Sequence, residues 1–166
     1  MIRLLLVTVT ASLIAGQAAL AQTVKREYGD WEVTVKLNPM DDDTTASATT
    51  RTGPEGRHWL TVACVDGELT ILLRTVPNVT PRSGGETTVQ YRVDAQDPFA
   101  PRAWTAAAGQ WVAPPGKYPR SLLDKMLTGG TVLFQVGSEG TVDASFSLDG
   151  LSRAWQDIVQ VSPECR

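Results

Sequence analysis

Trp59-Leu60-Thr61-Val62-Ala63-Cys64-Val65-Asp66-Gly67-Glu68-Leu69-Thr70-Ile71-Leu72-Leu73-Arg74-Thr75-Val76 reads as two strands joined by a two-residue turn. Asp66-Gly67 is the connection that type I′ hairpins prefer, because glycine accepts the positive φ the turn requires. Leu60, Val62 and Cys64 share one face of the first strand, and Leu69, Ile71 and Leu73 share one face of the second. That period of two marks half-buried β structure. It makes an antiparallel hairpin the centre of the fold and puts Cys64 on a central strand.

The pattern continues outward on both sides. Trp31, Val33, Val35 and Leu37 alternate with polar residues along a strand, which Asn38-Pro39 and the run Asp41-Asp42-Asp43 then break. Thr44 to Thr52 is a weaker Thr/Ala-rich strand, expected at an edge, and Gly53-Pro54-Glu55-Gly56 is a turn. Beyond the hairpin, 77–85 reads as a loop and Thr87 to Val93 as a strand. The Pro/Ala-rich stretch from Asp94 to Pro119, which holds Trp104 and Trp111, reads as loops with short strand pieces. Ser121 predicts a capped helix start, with Leu122, Leu123, Met126 and Leu127 on one face and Gly129-Gly130 as the stop. Thr131 to Val136 and Thr141 to Leu148 predict a second hairpin. Asp149 is expected to cap a last helix whose apolar stripe is Leu151, Ala154, Trp155, Ile158 and Val159. Strands and helices do not alternate as βαβ units. The expected class is therefore α+β, mostly antiparallel: a β-sandwich-like domain of six or seven strands with two short helices.

The first 21 residues set the compartment. Arg3 supplies a positive start, Leu4 to Ile14 is largely apolar, and Ala19-Leu20-Ala21 is a small-x-small cleavage site, the pattern of a secretory signal peptide cut before Gln22. Residues 22–166 are then one exported β-rich domain of ordinary size. No apolar stretch is long enough to span a bilayer, and no cysteine follows the cleavage site to carry a lipid, so no membrane anchor is expected. The expected location is the periplasm or the medium. A net charge of −3 argues against nucleic acid and anionic lipid, both of which need clustered Lys and Arg. Cys64 and Cys165 are an even pair in an exported chain, so a disulfide is expected between them.

Few residues suggest chemistry. His58 is the one histidine. With no nucleophile motif beside it, it reads as an exposed strand-end residue; the best enzyme hypothesis would pair it with Asp66 or Glu68. The Asp41–Asp43 run lacks the alternation and late Glu of a calcium loop, so it reads as a turn, with Asp41 and Asp42 retained as a possible recruiting surface. Asn78-Val79-Thr80 matches a glycosylation acceptor, which matters only in a eukaryotic secretory pathway. Of the five tryptophans, Trp31 and Trp155 belong to apolar faces, and Trp104 and Trp111, on the Pro-rich stretch, are the better candidates for an exposed glycan or peptidoglycan surface. The expectation is a non-enzymatic protein with no catalytic residue, cofactor or metal. No interface stripe separates from the core pattern, so the sequence carries no expectation of oligomeric state.

Several landmarks together resemble the VasI/TagO family of periplasmic accessory proteins associated with type VI secretion. They are Trp31-Glu32-Val33, Pro39-Met40-Asp41-Asp42, Leu60-Thr61-Val62-Ala63-Cys64, Tyr91-Arg92-Val93-Asp94 followed by Trp104, and Phe146-Ser147-Leu148-Asp149-Gly150-Leu151 before Cys165. Ala63 stands where the family often has Arg, so the resemblance is to a divergent member. The resemblance implies an envelope protein complex, with type VI components as partners, and a helper role in assembly or regulation. Gly29-Asp30-Trp31 after a signal peptide is also similar to the invasion-associated locus B family of exported β-rich proteins, although that family has more cysteines.

Overall fold

The computed structural model describes residues 22–37, 44–76, 84–107, 111–137 and 141–166. The expected signal peptide, the Asp41–Asp43 run and the Asn78 motif lie outside them. Among the described residues, ten strands form one antiparallel sheet, against the expected six or seven in a sandwich. They are β1 (Gln22–Tyr28), β2 (Trp31–Leu37), β3 (Thr44–Thr52), β4 (His58–Val65), β5 (Glu68–Arg74), β6 (Glu86–Val93), β7 (Arg102–Ala106), β8 (Val112–Ala113), β9 (Thr131–Val136) and β10 (Val142–Ser147). The spatial order is β1-β2-β3-β4-β5-β8-β7-β6-β9-β10. The two helices are α1 (Tyr118–Met126) and α2 (Leu151–Val161).

The predicted hairpin is β4–β5, with Cys64 opposite Leu69 and Leu60 opposite Leu73. Asp66 and Gly67 both have positive φ, 51° and 75°, as a type I′ turn demands. The second hairpin is β9–β10, in register from Val142 opposite Val136 to Ser147 opposite Thr131. Three strands have too little pattern to be read from the sequence. In β1, Thr-Val-Lys-Arg-Glu alternates poorly because every residue from Thr23 to Glu27 is exposed. Strands β7 and β8 are five and two residues long.

Several local expectations are corrected. Strand β3 lies inside the sheet, between β2 and β4, rather than at an edge. Its inward side chains Ala46, Ala48 and Thr50 are small and buried, and α2 and β10 lie against this strand in the space they leave. Helix α1 begins at Tyr118, with Pro119 in its first turn. Ser121 therefore sits within the helix, and its Oγ donates to the Tyr118 carbonyl at 3.1 Å instead of capping. Helix α2 is preceded by Gly150 at φ 91°, so Asp149 is not its cap. The Asp149 carbonyl instead accepts the Asp30 amide at 3.1 Å, while the Trp31 indole Nε1 donates to the Ser147 carbonyl at 3.2 Å. These bonds bring the β1–β2 turn and the end of β10, opposite ends of the sheet order, back together. The core between them is one cluster that includes Trp31, Leu60, Ile71, Trp104, Phe134, Phe146 and Ile158.

Candidate functional site

Cys64 faces inward from β4 and is joined to Cys165, which lies in a short 3-10 turn after α2, with Cα atoms 5.9 Å apart. The expected disulfide is present. The Arg120 guanidinium of α1 donates to the Cys165 carbonyl and lies over the Trp155 ring, 5.8 Å from its centroid. Strand β4, both helices and the chain end therefore meet at one place. Beside it, between α1 and the start of β5, runs an open groove of about 640 Å³. Leu69 and Pro119 give it apolar walls, and Glu68, Lys117 and Asp124 surround them with exposed charges of both signs. Such a groove can seat a short segment with an apolar anchor and polar flanks.

A second cleft of about 480 Å³ lies where the chain turns meet, lined by Gly29, Gly129, Gly130, Asp149, Gly150 and Arg153 among others. Its glycines have packing reasons. A Cβ on Gly29 would stand 2.6 Å from the Asp149 carbonyl oxygen, and one on Gly150 would fall onto the Tyr28 carbonyl. The bare backbone lets the two turns approach each other, so the glycines carry no sign of a ligand.

The residues singled out from sequence divide clearly. Trp104 is fully buried at 0% exposure and meets Phe134 edge-on at 5.8 Å between centroids, so it belongs to the core and not to a binding surface. Trp111 is half-buried, and its carbonyl accepts the Ala107 amide at 2.7 Å. The two tryptophans thus do not form a shared exposed platform. Asp41 and Asp42 lie outside the described residues. Trp31 and Trp155 are core residues, as their faces indicated.

His58 is buried at 5% exposure, not exposed at a strand end. Its Nδ1 accepts the Val76 backbone N–H at 3.1 Å, so the neutral ring carries its proton on Nε2. Burial, then the nearby Arg57 charge, hold its pKa below the ordinary imidazole value. The proposed carboxylate partners are at the other end of the hairpin. His58 starts β4, whereas Asp66 and Glu68 follow its end, about 25 Å away at a rise of roughly 3.3 Å per residue. His58 and these acids cannot form a catalytic pair.

One polar group was not anticipated. Asp157, on the otherwise apolar side of α2, is 6% exposed and pairs with Arg26 of β1 while accepting the Tyr28 O–H at 3.2 Å. The same pairing raises the Arg26 pKa. A lone acid amid an amphipathic stripe was the available signal, but its partner is 131 residues away. Among the described residues, no group of three or more His, Cys, Asp and Glu side chains is placed to hold a metal ion. No helix among them is long and apolar enough to cross a membrane.

The class is thus an antiparallel β protein with two helices, built on one sheet whose ends are drawn together and whose C-terminus is stapled to a central strand. No family model matches the sequence, and no curated protein does. The fold is found in the crystal structure of invasion associated protein B from Bartonella henselae, with a TM-score of 0.59 over 84% of this chain and 99% of that one. Identity is 12%, so the likeness is one of fold. It agrees with the second of the two families that the sequence resembles.

Proposed function

We propose that this chain is an exported, non-enzymatic binding protein of the bacterial envelope, processed before Gln22 and resembling invasion associated protein B in its manner of use as well as its fold. The observation that carries the proposal is the correspondence of almost the whole of that protein with this chain. A disulfide supports it, because such bonds persist in oxidising compartments. The groove beside the disulfide is the docking place, since it combines apolar walls with charges of both signs in a rigid setting. The ordered landmark string favours a second reading, in which the partner is a type VI secretion component.

In-cell crosslinking of the tagged full chain, followed by mass spectrometry, tests the proposal. Capture of one envelope protein that is lost on Lys117→Glu is the expected result. Type VI membrane-complex or tube components in that fraction would select the second reading. Retention of the chain in the cytoplasm with two free thiols would overturn both.

A further inference from the structure

Strand β1 ends the sheet. All seven of its residues pair with β2 in one unbroken register, Gln22 opposite Leu37 through Tyr28 opposite Trp31. The connection is Gly29-Asp30, with Gly29 at φ 55°, the first-position glycine of a type II′ turn. Such a turn is closed by a hydrogen-bonded pair, here Tyr28 and Trp31, and the bonded pairs then recur at every second residue. The backbone groups of Thr23, Lys25 and Glu27 therefore point away from β2. No other described strand receives them. The edge is also held rigidly, because Arg26 and Tyr28 on its inner face are bound to Asp157 of α2.

Natural sheet edges are usually blunted by proline, bulges or charge. Strand β1 has no proline, and its pairing with β2 has no bulge, so its only guard is charge. That charge is arranged unusually. Glu27 stands directly opposite Glu32 of β2, a like-charged cross-strand pair that is unfavourable by itself. Lys25 answers only one of the two, holding Glu32 at 2.9 Å. Glu27 makes no ion pair among the described residues.

We propose that the free edge of β1 pairs antiparallel with β1 of a second copy of this chain, about a two-fold axis through Arg26. This register sets Lys25 of each copy opposite Glu27 of the other, so each unanswered glutamate gains a cation. Moving the axis to Lys25 would oppose two lysines, and moving it to Glu27 would oppose two glutamates. The charges thus admit one register and reject its neighbours, so the guard acts as a specificity device. The two Arg26 side chains that meet near the axis are each already neutralised by their own Asp157. The contact is isologous, as closed dimers require. In this register five residues of each strand, Val24 to Tyr28, face their counterparts, a small interface, so the dimer is reversible and dependent on concentration.

Light scattering and sedimentation of the exported, disulfide-bonded chain test this. The expected mass moves from one chain toward two as concentration rises. Lys25→Glu and Glu27→Lys each place two like-charged pairs in the contact and shift the association midpoint upward by about tenfold. The double variant, Lys25→Glu with Glu27→Lys, restores the original midpoint, since the reversed pairs are again complementary. Both side chains are exposed, so circular dichroism of each variant should match the parent. A parent that stays monomeric at the highest attainable concentration overturns the proposal. So does a dimer that ignores the single reversals, or one that the double variant fails to restore.

Discussion

His58 shows how one side chain can change meaning between sequence and structure. From sequence it is the one imidazole at the mouth of a turn; in the fold it is a buried acceptor for the Val76 amide, with its ring against Gly53. The fold favours the neutral ring, so the unfolded chain takes up a proton more readily than the folded one as pH falls below the ordinary value of 6.5. Stability conferred by neutral His58 is therefore full above that value and declines as pH falls toward the depressed folded pKa. Urea midpoints at pH 7.5 and pH 5.5 should show the decline, and His58→Asn, whose Oδ1 can still accept the Val76 amide, should show less of it. An identical pH dependence in that variant would count against the assignment. Trp104 is the second residue whose role changed. Its place within a Pro/Ala-rich stretch suggested exposure, but β7 carries it into the core beside Phe134. Trp104→Ala should cost roughly 3–5 kcal/mol in denaturant unfolding, the loss expected of a large buried aromatic.

At the scale of elements, the hairpins were legible because their turns and alternation are local properties. Asp66-Gly67 specifies its turn by itself, and Val142, Ala144 and Phe146 alternate without outside help. Strand β1 was not legible, because its outer face meets solvent and its inner face is completed by a helix more than a hundred residues later. Its tie to α2 is the Arg26–Asp157–Tyr28 cluster. Arg26→Ala leaves the Asp157 carboxylate buried with a single hydroxyl partner, which is costly for a charge. The expected result is a clear drop in the urea midpoint, partly recovered when Asp157→Asn removes the stranded charge. Equal midpoints for the single and double variants would show that the pair is not coupled. Helix α2 itself was legible from its stripe, whereas its cap was not. The sequence pointed to Asp149, but the cap position falls to Gly150, whose close approach to the Tyr28 carbonyl leaves no room for a side chain.

At the scale of the molecule, compartment and parity foretold the disulfide, while the strand count and the single continuous sheet depended on pairings that leave little trace in local sequence. The bond closes a loop across a separation of 101 residues. Reducing it should lower stability by roughly 2–5 kcal/mol, read as a shift in unfolding with and without dithiothreitol; no shift would mean that packing alone holds the chain end. Its position also imposes an order of events. A chain made N-terminus first presents the Cys64 thiol long before that of Cys165, which follows at a separation of 101 residues. Oxidation between the two must then wait until the whole intervening stretch has followed Cys64. Because no third cysteine exists, the first intramolecular bond formed is also the native one. The bond is therefore a late event, which waits for the turn after α2 to come up against a strand made long before it.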